Sequence, residues 1–169
     1  MYMKPLADKE ALALVGPNVY TLVTSMDKSG KPNALAVGWV TRTSIKPFLM
    51  LISIDRRRYS HEGISHHKEF VVNYPTFEQA KGAEVCGSRS GRDCDKLKEA
   101  GLEVVASQKV KVPTIKGCTV AFECKVVSFF ETGDHTVFVG EVVACSGNPE
   151  KTKHLYYQSD HSMLGLAGK

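Results

Sequence analysis

Short apolar runs of the kind that form strands occupy the first third of the chain. Val19 to Ser25 is rich in β-branched and aromatic side chains, and Asn33 to Thr41 resumes an apolar run. The stretch from Asp27 to Lys31 lies between them and contains Gly30, which can take the positive φ of a tight turn. We therefore predict a β-hairpin near the start of the chain.

Two different strand patterns follow. Phe48 to Ile54 is almost continuously apolar, which predicts a central strand buried on both faces, and Phe70 to Asn73 predicts a further strand. Cys118 to Val126 alternates apolar and polar residues, so this strand should bury one face only. Thr136 to Ala144 is its expected antiparallel neighbour, because only a short turn sequence separates the two.

Four short helices are predicted between and before these strands. Ser60 and Asp93 are suitable N-caps, and Thr76 with Gln79 matches a capping box. The predicted helices run from Asp8 to Val15 before Gly16 and Pro17, from Ser60 to His67, from Phe77 to Cys86 with Gly87 as the end, and from the Asp93 cap to Ala100 with Gly101 behind it.

The order of these elements predicts the fold class. Strands come first, two helices follow, and strands return, with connections of hairpin length at both ends. We expect a mainly β protein, a closed or nearly closed antiparallel barrel that carries helical excursions, and not a doubly wound sheet. With 169 residues, no internal repeat and no low-complexity linker, residues 1–169 should form a single domain.

Composition and cysteine usage indicate the compartment. Charged residues make up 24% and hydrophobic ones 43%, and no apolar stretch reaches the ~20 residues of a membrane helix. Asp8, Lys9 and Glu10 follow the start closely and leave no room for the apolar centre of a secretory signal. The five cysteines are odd in number and include no CxxC pair, so we expect reduced thiols, no zinc site and a cytoplasmic protein without membrane contact.

Several common motifs are absent. No glycines have the GxG spacing of a dinucleotide site, and Ser88 occupies the place of the phosphate-binding lysine after Gly82 and Gly87. Arg89 stands where a nucleophile-elbow serine would be needed. His61, His66 and His67 lack the i, i+4 spacing of a metal pair, so we expect no metal site and favour a solvated helix end.

Net charge points to an anionic ligand only weakly. Lys and Arg total 22 against 18 Asp and Glu, a balance of +4, and the positive residues are dispersed. The segment from Arg56 to His61 is denser, since it follows a buried strand and leads into a helix. Guanidinium groups, a capping hydroxyl and a helix N-terminus would converge there on a phosphate. A solvated arginine run in a turn is the alternative, and the residues alone leave both open.

At these residues the sequence resembles the flavin reductase-like family, FMN-binding split barrels that include flavoredoxins and archaeal flavin and ferric reductases. The resemblance covers the chain from Pro17 to about Leu164. Its carriers are the segments Asn18 to Thr24, Gly30 to Trp39, Thr43 to Pro47, Arg58 to Ile64, Glu69 to Asn73, Ser90 to Lys96 and Gly133 to Glu141. Their order and spacing together are specific, and a split barrel agrees with the elements predicted above.

The resemblance implies a set of site residues. The implied FMN contacts are Trp39, Val40 and Thr41 along the isoalloxazine, Ser53 on the strand facing it, Arg58 and Ser60 at the phosphate, and Ser90 and Lys96 in a loop bordering the pocket. His135 falls near the flavin and the hydride donor and is the candidate catalytic residue. Some ferric-reductase relatives have a cysteine where this chain has Ser53, so iron reduction is not implied.

Two functions fit this resemblance. The first is a flavin reductase that takes a hydride from NAD(P)H onto FMN and passes electrons to an acceptor. The second is a flavoredoxin-type carrier that receives electrons from a redox protein partner without nicotinamide turnover. The family also implies a homodimer with the flavin near the subunit interface. An oligonucleotide-binding barrel is disfavoured, because aromatic residues do not interleave with the basic ones, and we expect no nucleic-acid partner.

Overall fold

The computed structural model describes residues 3–151, 153–158 and 162–167. Its helices are α1 (Asp8–Ala13), α2 (Tyr59–His67), α3 (Ala80–Ser88), which a 3₁₀ turn at Phe77–Gln79 precedes, and α4 (Lys96–Glu99). Its strands are β1 (Asn18–Val19), β2 (Thr21–Met26), β3 (Pro32–Val37), β4 (Val40–Ser44), β5 (Leu49–Asp55), β6 (Glu69–Tyr74), β7 (Val104–Val105), β8 (Thr114–Ile115), β9 (Val120–Thr132), β10 (His135–Gly147), β11 (Lys153–Tyr157) and β12 (Met163–Ala167).

The architecture is the predicted antiparallel split barrel with helical excursions. Seven strands form one sheet in the order β3-β2-β6-β9-β10-β5-β4. The two edge strands, β3 and β4, are joined by Gly38 and Trp39 alone, so the sheet must curl until its edges approach. A small sheet, β1-β11-β12, and a two-stranded ribbon, β7-β8, complete the described strands. No helix in the described part of the chain is long and apolar enough to cross a bilayer.

Two apolar clusters hold the barrel together. Inside it, Val23, Ile52, Phe70 and Phe138 are fully buried in one cluster. A second cluster places Leu22, Ala83, Cys86 and Leu155 between the sheet, α3 and the small sheet. All five cysteines are free thiols, as the sequence predicts.

The strand predicted at Phe48 to Ile54 differs from expectation in its burial. The observed β5 lies one strand from the sheet edge, between β4 and β10. Met50, Ile52 and Ile54 are buried, whereas the alternate residues are only half-buried up to Ser53. The prediction of burial on both faces is therefore wrong, because successive side chains of a strand point to opposite faces and only one face here forms the barrel interior.

The run predicted as one strand from Asn33 to Thr41 is two strands. The chain leaves β3 at Gly38 and Trp39 and crosses to the other edge of the sheet as β4, where the Ser53 amide donates to the Trp39 carbonyl at 3.0 Å. A Cβ on Gly38 would lie 2.6 Å from the Tyr157 hydroxyl, so any larger residue would have to displace the Tyr157 side chain. Periodicity did not predict this break because the apolar run continues from β3 through Trp39 and Val40.

The predicted cap of α2 is wrong. Arg58 occupies the N-cap position without a capping side chain, and Ser60 lies inside the helix. The Ser60 hydroxyl is buried and accepts a hydrogen bond from Asn33 Nδ2 at 2.7 Å. The Ser60 hydroxyl therefore links α2 to β3 through the Asn33 side chain and does not cap the helix amides.

The ends of α3 and α4 also differ from expectation. α3 continues through Gly87 to Ser88, so Gly87 does not end it. A Cβ at Gly87 would lie 2.7 Å from the Tyr20 hydroxyl, and the glycine lets the helix pack close to Tyr20. Asp95, not Asp93, caps α4 and accepts from the Lys98 amide at 3.2 Å. Gly101 follows α4 at a φ of 63°, as expected for the residue behind a helix.

The hairpins are confirmed. Gly30 has a φ of 89° in the turn between β2 and β3. β9 and β10 are the predicted antiparallel neighbours and pair over longer ranges than expected, from the pair His135 and Thr132 to the pair Gly147 and Val120. This long hairpin places His135 beside the end of β5.

Candidate functional site

A cavity of about 650 Å³ opens where the edges of the curled sheet approach each other. The end of β3, the Gly38-Trp39 link, the end of β5, the start of β10, α3 and the small sheet surround it. Its lining residues are Tyr20, Leu35, Ala36, Val37, Gly38, Trp39, Ser53, Ile54, Asp55, Arg57, Arg58, Glu84, Gly87, Ser88, Asp134, His135, Tyr157 and Met163. A cavity of this size suits a small organic ligand or cofactor.

One end of the cavity is charged, and the three consecutive arginines of the turn beside it are not equivalent. Arg56 donates to the Glu131 carboxylate at 3.1 Å and to the Gly133 carbonyl at 2.7 Å. Arg57 donates two hydrogen bonds to the Asp55 carboxylate, from Nε at 3.1 Å and from Nη2 at 2.7 Å. The Arg58 guanidinium has no partner among the side chains that the structure describes. Arg58 therefore supplies a cation that can be neutralised by a ligand.

The Asp55–Arg57 pair fixes the turn before α2. The Asp55 carboxylate also accepts from the Arg57 amide at 2.9 Å, and the Arg58 amide donates to the Asp55 carbonyl at 2.9 Å. Hydrogen bonds from the Arg57 side chain and amide hold the pKa of Asp55 well below its usual range. Asp55 thus stays ionised and keeps Arg57 occupied, which leaves Arg58 for a ligand.

The mouth of the cavity carries an aromatic pair. The Trp39 side chain is 60% exposed, and its ring centre lies 4.6 Å from that of His135 at an angle of 41°. His135 Nδ1 lies 2.5 Å from an Asp134 carboxylate oxygen, and this hydrogen bond lowers the pKa of Asp134. Because Asp134 engages Nδ1, Nε2 is the imidazole nitrogen that a ligand can meet.

The other end of the cavity is aromatic and apolar. Tyr20 and Tyr157 meet edge to face with ring centres 5.9 Å apart. The Tyr20 hydroxyl donates to the Ala83 carbonyl at 3.1 Å, and burial raises the pKa of Tyr20 to about 12. Met163 completes this wall. The cavity is thus amphipathic, with a cationic end and a wall suited to a flat ring.

Four of the residues singled out in the sequence meet at this cavity. Trp39, Ser53, Arg58 and His135 all line it, although they come from the β3–β4 link, β5, the turn before α2 and the start of β10. The barrel topology alone brings them together. Their proposed contacts with a cofactor stay predictions.

The other five lie outside the lining. Val40 packs on the barrel core, and the exposed Thr41 hydroxyl donates to the Arg42 carbonyl at 3.4 Å. Ser60 is engaged by Asn33, as described above. The Ser90 hydroxyl accepts from the backbone amide two residues on, at 3.2 Å. For Val40, Thr41, Ser60, Ser90 and Lys96, cofactor binding remains a prediction.

Lys96 has a structural contact that the sequence did not indicate. Its side chain is buried, and Nζ donates to the Cys86 carbonyl at 3.0 Å near the end of α3. A cation there compensates the partial negative charge of the helix C-terminus. Burial lowers the pKa of Lys96, and repulsion from Arg58 lowers it further. The buried ammonium thus adds positive potential near Arg58.

Several lining residues were not found from the sequence. Tyr157 and Met163 belong to β11 and β12, which reach the cavity because β11 pairs with β1. No local pattern marks them. The ion pair between Asp55 and Arg57 could have been predicted from the sequence, because an acidic residue two positions before a basic one in a tight turn favours a local ion pair.

Two of the three histidines of α2 make polar contacts within the protein. His61 Nε2 lies 2.8 Å from the Thr136 hydroxyl, and burial lowers the pKa of His61. His67 Nε2 lies 2.6 Å from the Asp27 carbonyl. His61 and His67 therefore depart from the expectation of a solvated helix end, whereas His66 and Lys68 are exposed as expected. Within residues 3–151, 153–158 and 162–167, no three His, Cys, Asp or Glu side chains form a metal-binding group.

Comparison with known proteins shows the family of this chain. The family model described as a flavin reductase-like domain matches residues 16–164. An uncharacterized protein of Archaeoglobus fulgidus is 43% identical over 127 residues, which cover 74% of this chain and 72% of that protein. A flavin reductase of Pseudomonas putida is 30% identical over 86% of this chain and 82% of its own length. The crystal structure of a flavoredoxin from Methanosarcina acetivorans superposes with a TM-score of 0.86 at 28% identity, covering 100% of this chain and 93% of that one.

Proposed function

This chain belongs to the flavin reductase-like family, and from that premise we propose that it is an FMN-binding oxidoreductase. In this proposal it takes electrons from NADH or NADPH and delivers them, by way of the flavin, to an acceptor. The observation that carries the proposal is Arg58: of the three arginines in the turn, it alone lines the cavity without an acidic partner in the described part of the chain.

The residues of the cavity fit FMN at both ends. Arg58 would bind the phosphate, because a guanidinium without a carboxylate partner gains a charge-assisted hydrogen bond when an anion arrives. Tyr20, Tyr157 and Trp39 would contact the flat ring, and Ser53 would face it from β5. When bound there, FMN supplies hydride and electron transfer. The protein itself binds the FMN, orients its ring and shields it from solvent in this proposal.

His135 is our candidate for contact with the reacting atoms. It lies at the cavity mouth beside the exposed Trp39, where a nicotinamide could approach. Asp134 holds its Nδ1, so the ring is fixed with Nε2 available to donate to or accept from a bound ring. We therefore assign His135 to orienting the hydride donor, with no nucleophile or covalent step required.

The decisive experiment combines a spectrum with a reduction assay. We expect the purified protein to show the visible absorption of a flavin, and the released cofactor to be FMN. Mixing with NADH or NADPH in a stopped-flow instrument should bleach that absorption rapidly. A colourless protein that does not take up added FMN would contradict the cofactor assignment.

A flavoredoxin-type electron carrier is the second candidate function. The Methanosarcina acetivorans flavoredoxin supports it, since the similarity extends over this whole chain. A carrier would receive electrons from a redox protein partner, and its bound flavin would react slowly with both nicotinamides. The same stopped-flow experiment separates the two functions.

We also propose a homodimer. Val127, Phe129 and Phe130 are exposed on the outer half of β9, and Ile45 is 86% exposed near the β4–β5 turn. A second copy that packs on one of these regions would cover exposed apolar side chains. Light scattering of the FMN-loaded protein should give twice the chain mass, and the mass of one chain would contradict this.

A cytoplasmic location is part of the same proposal. Five free thiols, three of them buried, are typical of a reducing compartment. Nicotinamide cofactors and a protein acceptor would also be available there. Fractionation of the native cells, followed by detection of the chain, would test the location directly.

A further inference from the structure

The loop between α3 and α4, residues 89–95, holds the arginine turn from outside the cavity. Arg92 Nη1 donates to the Arg57 carbonyl at 3.0 Å. The Arg92 guanidinium carbon also lies 5.4 Å from the centre of the Tyr59 ring, in the arrangement of a cation–π contact. Arg57 and Tyr59 are the two neighbours of Arg58 in the chain. One side chain thus fixes both sides of Arg58.

Gly91 of the same loop packs closely against the turn that contains Arg58. A Cβ at Gly91 would lie 2.6 Å from Tyr59 Cδ1, closer than van der Waals contact allows, so glycine lets the loop approach. Tyr59 is held from another direction by its hydroxyl, which donates to the Asp27 carboxylate at 2.9 Å. The residue after Arg58 is therefore clamped between the β2–β3 turn and the loop.

We propose that Arg92 is a positioning residue for the phosphate end of the flavin site. It is absent from the cavity lining, so it acts through the turn: its hydrogen bond orients the peptide that joins Arg57 to Arg58, and that peptide directs the Arg58 side chain into the cavity. This inference rests on the proposed function. It predicts that a contact outside the cavity governs the preference for a phosphorylated flavin.

The first test compares FMN with riboflavin, which lacks the phosphate. Arg92→Ala should weaken FMN binding about tenfold, as expected when a charge-assisted hydrogen bond is misdirected, and change riboflavin binding by less than about twofold. Arg89→Ala is the matched control: it removes an arginine from the same loop, whose partner is Glu99 at 4.0 Å, and should leave both affinities unchanged. Equal losses of FMN and riboflavin in Arg92→Ala would overturn the proposal.

Arg92→Lys separates geometry from charge. The lysine keeps the positive charge but lacks the planar group that donates to Arg57 while it lies over Tyr59. We expect this variant to lose most of the FMN preference that Arg92→Ala loses. Binding of FMN at the parent level would show that charge alone matters and would overturn the positioning role.

A double variant tests whether Arg92 acts through Arg58. If it does, Arg92→Ala should weaken FMN binding by less than about twofold when Arg58 is already alanine. If the two substitutions instead weaken FMN binding by independent factors that multiply in the double variant, the inference is contradicted. Should Arg58→Ala itself weaken FMN and riboflavin equally, the phosphate site of the proposed function fails. If Arg58→Ala is selective and Arg92→Ala is not, only the present inference fails.

Discussion

The two ends of the cavity are built in different ways. The cationic end comes from one short segment, in which Asp55 holds Arg57 and leaves Arg58 available. The aromatic end takes Tyr20 from the link between β1 and β2 and Tyr157 from the far end of the chain, in β11. A charged site can be made locally, because a few side chains in a turn suffice. An apolar wall needs surfaces from several elements.

This difference predicts how each end selects a ligand. The cationic end acts by charge and hydrogen bonding, so its contribution should depend on the phosphate and weaken with added salt. The aromatic end acts by contact area and shape, so it should bind any flavin ring and respond little to salt. Variants at the two ends therefore give distinguishable results.

Arg58→Ala should produce the largest effect. Losing a charge-assisted hydrogen bond to the phosphate, about 1.5–3 kcal/mol, corresponds to FMN binding weaker by about 10- to 150-fold. Riboflavin binding should change little. Fluorescence titration with both flavins measures this directly, and the salt dependence of FMN binding should fall as well. Equal losses for the two flavins would contradict the division between the ends.

Tyr157→Ala tests the opposite end. Removing the ring takes away part of the apolar wall, so FMN and riboflavin should both bind about tenfold more weakly. Tyr156→Ala is a matched control, because Tyr156 is the adjacent residue of β11 and is not among the residues that line the cavity. A loss confined to FMN would mean that Tyr157 also serves the phosphate end.

His135→Ala should separate FMN affinity from the rate of flavin reduction. We expect slower reduction by NADH or NADPH, since the imidazole lies at the mouth and not at either binding end. The FMN dissociation constant should stay within about threefold of the parent value, because the Arg58 contact is intact. A variant that loses FMN but reduces the remaining bound flavin at the parent rate would make His135 a cofactor ligand instead.

Asp55→Asn should change the pH dependence of stability, an effect smaller than those on ligand binding and reduction described above. The pKa of Asp55 is depressed in the folded protein, so its ionised form stabilises the fold above its unfolded pKa, near 4, and this contribution is lost as pH falls below that value. The difference in Tm between parent and variant should therefore be larger at pH 7 than at pH 2.5. A difference independent of pH would show that Asp55 acts through packing.

Much of the fold could be predicted because strand periodicity is local. The hairpin around Gly30, the long pair β9 and β10, and the antiparallel class all follow from alternation and turn residues within a few positions. The cationic end could also be anticipated, since Arg58 lies in a contiguous turn between a strand and a helix. For these features the interacting residues are close in sequence.

The failed predictions share the opposite property. Ser60 is a good N-cap by composition, yet its hydroxyl bonds Asn33 from β3. Gly87 resembles a helix stop, yet it lets α3 approach Tyr20. In each case a partner distant in sequence outweighs the local preference.

The sequence by itself determined the hairpin around Gly30, the β9–β10 pair and the location of the arginine segment, because each depends on neighbouring residues. It also showed the resemblance to the family, through the order and spacing of such segments. Only the tertiary structure decided that the sheet edges meet at Gly38 and Trp39 and that Tyr157 closes the aromatic wall. It also decided that Arg92 reaches the Arg57 carbonyl. Those contacts depend on how the sheet curls and on which strand pairs with β1, and curvature and long-range pairing are set by the packing of the whole barrel, not by any local pattern.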